Sequence, residues 1–212
     1  DPVHDDTVLW GDQRVTVAGA LPGERLRVRP RRWLRRGPKS LDCDVEAVLE
    51  PHPDRVAPRC PAFGRCGGCA QQHLALPAQL RQKARHVRAL LREAGAGEPE
   101  AWAPPVPSPA FGYRHKARLG VRCVPARGGV LVGFRERGGA RVTDTDRCPI
   151  LHPAVGTRLG ALRALIGGLS APAAVPQLEI AVGSGRAVLV LRHLEPLTDA
   201  DEARLRAFSA AE

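Results

Sequence analysis

Cys60, Cys66 and Cys69 fall in the run Cys60-Pro-Ala-Phe-Gly-Arg-Cys66-Gly-Gly-Cys69, and Cys148 lies far downstream in Arg147-Cys148-Pro149. Iron–sulfur cubanes are held by cysteine thiolates, commonly several from one tight loop, with a proline often following a ligand cysteine. Both Cys60 and Cys148 precede a proline. The paired glycines between Cys66 and Cys69 remove side chains where backbone must curl around a bulky group, and they free amides to point at its sulfurs. The pattern therefore reads as a [4Fe–4S] site with Cys60, Cys66, Cys69 and Cys148 as ligands.

Zinc is the competing metal. Structural zinc usually takes two close ligand pairs, whereas this chain offers one Cys-x2-Cys pair, one cysteine upstream of it and one remote cysteine. Disulfides require an oxidising compartment. No apolar leader opens the sequence and no run approaches membrane-span length, so the expectation is a reduced, cytoplasmic protein without a membrane partner. Cys43 lies in an alternating stretch and Cys123 near the end of a strand-like run; both read as ordinary small apolar residues.

The 212 residues carry 32 Lys plus Arg against 22 Asp plus Glu, a net charge of +10. The surplus is clustered. Arg25 to Lys39 holds eight basic residues and no acid, Arg81 to Arg92 holds five unopposed, and Arg114 to Arg141 holds eight against Glu136 alone. Blocks of this kind imply a polyanionic partner, with nucleic acid the first choice. Trp33 sits inside Arg31-Arg32-Trp33-Leu34-Arg35-Arg36, where an aromatic ring among guanidinium groups suits base stacking beside phosphate contacts; it equally suits a core position. Arg31, Arg32, Trp33, Arg35 and Arg36 are thus candidate RNA contacts, together with Arg114, Lys116 and Arg118.

The positioning elements are α+β. Arg14 to Val17, Arg25 to Arg29 and Cys43 to Leu49 read as strands of a small antiparallel OB-type barrel, with a Pro22-Gly23 turn and a basic loop from Arg31 to Ser40. The expected division is a barrel at 1–57, a cysteine loop and helix at 58–94, a linker at 95–112, and a central α/β domain of hairpins and amphipathic helices at 113–212. Pro77 opens a helix whose Leu80, Ala84, Val87, Leu90 and Leu91 recur at helical spacing. Tyr113 to Val124 and Val130 to Arg137 form one hairpin, Leu178 to Val182 and Ala187 to Leu191 another. Pro153 to Ile166 reads as one amphipathic helix, and Thr198 as the cap of a last helix. Gly183-Ser184-Gly185 is a hairpin turn, since neither a third glycine nor a helix comes after it as a nucleotide loop would require.

Taken together, these motifs resemble the bacterial 23S rRNA uracil-C5 methyltransferases that carry an iron–sulfur cluster. Ala20-Leu-Pro-Gly-Glu24 resembles the turn of that family's N-terminal TRAM barrel. Arg55 to Leu74, Gln79 and Lys83 are similar to its cluster loop and adjoining helix. Tyr113 to Arg118, Gly133 to Arg135 and Arg147 to Leu151 resemble its central domain. The resemblance implies that the four cysteines hold a 4Fe-4S cluster, that large-subunit ribosomal RNA is the partner, and that the TRAM-like barrel favours the enzyme acting on uridine 1939. In the family, a C-terminal domain binds S-adenosylmethionine and supplies a catalytic cysteine and glutamate. No Gly-rich strand-to-helix loop is visible in this sequence, so no catalytic or S-adenosylmethionine-binding residue is assigned to it. The expectation is a monomeric portion of a methyltransferase, beginning after the barrel's first strand and inactive alone. Its competitors are a stand-alone iron–sulfur or zinc RNA-binding module and, last, a redox sensor.

Overall fold

The computed structural model describes residues 7–10, 13–34, 40–97, 99–127 and 129–211. The chain divides into two compact units. One comprises Asp1–Arg59 and Cys69–Pro107, the other Cys60–Gly68 and Ser108–Glu212.

The first unit is built on strands β1 (Thr7–Trp10), β2 (Gln13–Ala18), β3 (Arg25–Leu34) and β4 (Ser40–Glu50), in the order β1-β2-β4-β3. Alternation places Val15 and Val17 on one face, where they meet Leu41 and Cys43 of β4 in a small buried core. Cys43 is thus the small apolar residue expected of it. Two features differ from the sequence reading. The β2–β4 pairing is parallel, with Arg14 opposite Ser40 and Ala18 opposite Asp44, because β3 folds back on the far side of β4 and leaves β4 aligned with β2. Strand β3 also runs on through Arg31 to Leu34, where a loop was expected; its register shifts against β4 let Pro30 sit at an irregularity that needs no ladder donor.

A buried ion pair ties the Pro22-Gly23 turn to the segment that leaves β4. Gly23 adopts φ 83°, which the turn requires and a side chain would disfavour. The Glu24 carboxylate is fully enclosed. It accepts hydrogen bonds from the Leu21 amide (2.9 Å), the His52 amide (3.0 Å) and the Arg55 guanidinium, whose Nη2 also donates to Gly19 O at 2.7 Å. Burial opposes ionisation of Glu24, yet the donors from Arg55, His52 and Leu21 outweigh it and lower the carboxyl to about 2.

Helix α1 (Leu76–Glu93) starts one residue before Pro77, and Ala78 buries against Leu21 and Leu74. Farther along, Val87 and Leu90 are exposed while Leu91 is half-buried, so the apolar stripe read from the sequence is covered only in part. Beyond the helix, Trp102 of the Pro-rich segment lies under Arg88, with the guanidinium 4.6 Å from the ring centroid.

The second unit carries an antiparallel sheet ordered β6-β5-β7-β8, from β5 (Lys116–Val124), β6 (Gly129–Gly133), β7 (Gln177–Val182) and β8 (Ala187–Arg192). Its inner face, with Leu119, Val121, Val132, Leu178 and Ile180, packs on Leu151, Leu159, Leu162 and Ile166. Each such side chain contributes roughly 1.5–3 kcal/mol on burial. Cys123 extends past this core and is exposed, contrary to expectation. The last helix α4 (Asp199–Ala211) begins as expected at Thr198, whose Oγ1 accepts from the Asp201 amide at 3.2 Å while Asp201 Oδ2 accepts from the Thr198 amide at 3.1 Å. Asp201 also accepts from Ser170 N and Oγ, and these bonds hold its carboxyl well below the ordinary range.

The expected helix over Pro153–Ile166 is in fact two, α2 (Pro153–Gly156) and α3 (Leu159–Gly167). The break has a specific cause. In a continuous helix the Gly160 amide would donate to Gly156 O; here Gly156 O accepts from the Cys148 amide at 2.7 Å, and the Gly160 amide donates to Asp146 O at 3.3 Å. The segment bearing Cys148 takes both ends of that missing hydrogen bond.

These contacts set two expected outcomes. Glu24→Gln is expected to cost about 3 kcal/mol, because it leaves the Arg55 charge enclosed without its anion. The wild-type pair contributes fully above pH 4.5, the ordinary value, and is lost as pH falls toward about 2. Thermal melts across that window will show a steeper acid destabilisation in wild type than in the variant. Gly156→Ala would place a Cβ 2.5 Å from Cys148 O and 3.0 Å from Leu151 O, so a loss of about 2 kcal/mol is expected, whereas Gly183→Ala, with open space around it, is expected to be near neutral. Equal melting temperatures for the two alanine variants would contradict this account.

Candidate metal centre

Residues Cys60 to Gly68 form a succession of turns. Phe63 N donates to Cys60 O (3.0 Å) and Cys66 N to Ala62 O (2.8 Å), while Gly64 takes φ 85° and Ala62 is buried. The loop then pairs with the chain after β6 through an antiparallel bridge between Cys66 and Glu136. Gly67 N donates to Arg135 O and Arg137 N to Arg65 O, both at 2.9 Å. This bridge explains the two glycines. A Cβ on Gly67 would stand 3.0 Å from Arg135 O, and one on Gly68 would stand 3.0 Å from the Phe134 ring. The Gly68 amide points at the Cys66 sulfur, 3.4 Å away.

Cys148 arrives from the other side of the same unit. Its segment is held by backbone bonds from Gly112 N to Pro149 O, Arg114 N to Ile150 O and His152 N to Arg114 O, each 2.9 Å, in addition to the Gly156 contact. Burial pushes the Cys148 thiol up; the Ile150 and Leu151 amides that donate to it act in the opposite sense, and the neighbouring Cys60 and Cys66 add to the rise. Three of the four sequence-predicted ligands thus lie in one unit, near enough to influence one another's charge. Cys69 directly succeeds Gly68 and is the first residue of the other unit's second segment.

All six cysteines are free. Among the described residues, no group of three or more His, Cys, Asp or Glu side chains is set to hold a metal ion. The donor chemistry nevertheless fits a thiolate-bound group: soft sulfur ligands, two of them met by backbone amides, in a loop whose glycines leave no room for side chains.

The predicted RNA contacts fall in three situations. Arg31 is exposed on β3 and faces Asp44 of β4 at 3.8 Å, as Arg25 faces Glu50 (3.0 Å) and Arg29 faces Glu46 (2.5 Å). The basic run, unopposed along the sequence, is therefore partly answered across the sheet, by exposed pairs that contribute little each. Arg32 and Trp33 lie within β3, with Trp33 opposite Leu41 in register, and Arg35 and Arg36 lie outside the described residues. Lys116 and Arg118 are exposed on β5, Arg118 lying 3.7 Å from Glu179. Arg114 is half-buried, its guanidinium 5.3 Å from the Phe134 ring centroid. Sequence reasoning missed Phe134, which stands between Gly68 and Arg114; its only sequence signal is its place in Gly133-Phe134-Arg135.

No helix among the described residues is long and apolar enough to cross a membrane. No family model matches the chain. Individual proteins do. The chain is 52% identical over 194 residues, 92% of its length, to a protein of Bordetella pertussis named 23S rRNA (uracil(1939)-C(5))-methyltransferase RlmD. Proteins of the same name match from Nitrosococcus oceani, at 48% over 93% of the chain, and from Alkalilimnicola ehrlichii, at 45% over 97%. The chain spans 41–44% of the length of these curated relatives. The similarity covers nearly all of the chain, which along its length is similar to less than half of each of these 23S rRNA (uracil-C5)-methyltransferases.

Proposed function

We propose that this chain is the RNA-recognition and iron–sulfur portion of an S-adenosylmethionine-dependent methyltransferase that forms 5-methyluridine in 23S rRNA, as its relatives' names describe for them. The observation that carries the reading is the gathering of Cys60, Cys66 and Cys148 in one unit, from positions far apart in sequence, within a chain 52% identical to such an enzyme. In this reading Cys60, Cys66, Cys69 and Cys148 hold a 4Fe-4S cluster whose role is structural. It joins the loop after residue 59 to the segment around Cys148, and closing so long a chain segment restricts the unfolded ensemble. Methyl transfer consumes no electron, so a redox role is not required.

The reading keeps the division expected from sequence, with 1–57 as a TRAM-like barrel, 58–94 as the cluster loop and helix, 95–112 as a linker and 113–212 as the central domain, whereas compact packing groups 69–107 with 1–59 and 60–68 with 108–212. The four-stranded sheet and its Gly23 turn support the barrel reading. Arg31, Arg32, Trp33, Arg35 and Arg36 on the barrel, and Arg114 just before β5 with Lys116 and Arg118 on it, contact RNA opened around its target. A uracil must leave its stack before a nucleophile reaches the ring, so a cationic platform for the flanking strand serves the reaction. Binding of S-adenosylmethionine and the chemical steps belong to a part of the methyltransferase other than these residues, and the chain alone transfers no methyl group. The protein acts in the cytoplasm as a monomer.

Anaerobic purification and then metal and sulfide analysis test the cluster. About four irons and about four sulfides per chain are expected, falling sharply in Cys69→Ser together with the melting temperature. Stoichiometric zinc without sulfide, or a Cys69→Ser protein of unchanged stability and no iron, overturns the assignment. For RNA, replacing Arg31, Arg32, Arg35 and Arg36 by alanine is expected to weaken binding and reduce its salt dependence; unaltered affinity and slope in a titration would remove these residues from the interface.

A further inference from the structure

A groove of about 570 Å³ lies within the second unit, beside the cysteine loop. Its lining includes Gly67, Arg118, Phe134, Arg135, Glu136 and Arg137. Arg118, Arg135 and Arg137 line it from two segments of chain, against one lining acid, Glu136. Glu136 faces Arg65 at 3.9 Å. Glu179, the partner of Arg118 at 3.7 Å, is held more closely by Arg192 at 2.9 Å. Arg118 and Arg135 are exposed. The groove thus carries a surplus of positive charge.

Its wall at Gly67 is bare peptide. A side chain there would meet Arg135 O at 3.0 Å and Arg137 N at 3.5 Å, so this position brings main chain to the groove surface where any other residue would push the two segments apart. Phe134, the one aromatic ring in the groove, is already packed on Gly68 and under Arg114, which leaves it unsuited to receive a base. Arginines over a backbone wall, with the lining's aromatic ring already packed and the Gln177 amide donating to Glu179 at 2.9 Å, suit phosphates, contacts that carry no sequence information.

We infer that this groove holds the sugar–phosphate backbone of a single-stranded RNA segment, through Arg118, Arg135 and Arg137, and adds affinity without sequence preference. The inference rests on the RNA-binding function proposed above. It also gives the cysteine loop a second consequence, since the pairing of Gly67 with Arg135 that shapes the loop also builds the groove wall.

The test is a fluorescence-anisotropy titration of the full chain with two labelled single-stranded RNA oligonucleotides, one of large-subunit rRNA sequence and one scrambled, at several salt concentrations. Arg135→Gln/Arg137→Gln is expected to weaken both oligonucleotides alike, by about tenfold, and to reduce the slope of log affinity against log salt by about 1.4, the value for two lost phosphate contacts to a single strand. Arg118→Gln alone should lower the slope by about 0.7 and serves if the double variant fails to fold. Arg206→Gln, on exposed α4 away from the groove, should leave both quantities unchanged. Binding by wild type with an unaltered slope in the groove variants overturns the groove while leaving the function standing. A wild-type chain that binds neither oligonucleotide at any salt overturns both, and a loss confined to the rRNA sequence overturns the claim of sequence-independent contact.

Discussion

The hydrogen bond from the Cys148 amide to Gly156 O is the constraint on which the second unit's arrangement depends. A helix beginning at Pro153 has every local reason to run on to Ile166, since its apolar residues keep the spacing and the first turn opens on proline. The Cys148 segment takes the carbonyl that would propagate that helix, and Asp146 O takes the amide that would receive it. The helix resumes at Leu159 in a direction that lets Leu159, Leu162 and Ile166 reach the sheet. Only glycine at position 156 permits this, because its missing Cβ is where Cys148 O lies. One backbone contact therefore fixes the cysteine, breaks the helix and directs the core.

The Cys66 loop is governed by the same kind of competition among backbone groups. An isolated run of turns between Cys60 and Gly68 would have many conformations. Its bridge to Glu136 removes most of them, and the glycines beside the bridge are the residues whose absent side chains let two chains approach. Phe134, Arg114 and the Ile150 carbonyl then connect that loop to the Cys148 segment through contacts within the same unit. Such an assembly suits thiolate ligands, whose negative charge requires nearby amide donors when water is excluded. The Cys148 sulfur illustrates the balance: burial disfavours its charge, two amides favour it, and a bound cationic centre would settle the contest toward thiolate.

Charge on the first unit is less one-sided than the run of arginines implies. Strand β3 places Arg25, Arg29 and Arg31 across from Glu50, Glu46 and Asp44. These exposed pairs are weak, so they only partly offset the charge of the arginine row. The enclosed Glu24–Arg55 pair is of a different kind, because its carboxylate is satisfied by four donor groups and has no water to return to. It anchors the turn before β3 to the chain that leaves β4.

Much of this was legible in the residues themselves. Pro77, the alternation in β5 and β7, the Gly183-Ser184-Gly185 turn and the Thr198 cap are local signals, and the elements they mark formed close to where they were expected. The cysteine spacing likewise named the candidate ligands, because proline after cysteine and glycine between cysteines are covalent facts of the chain. What sequence could not supply were outcomes in which two distant segments compete for the same hydrogen-bonding group or the same space: the parallel pairing of β2 with β4, the break at Gly156, the bridge between Cys66 and Glu136, and the acids that face the β3 arginines. Local preference decides which element a stretch of chain tries to form, whereas a carbonyl can be claimed by only a few amides, and which of them reaches it is decided when the tertiary structure brings them together.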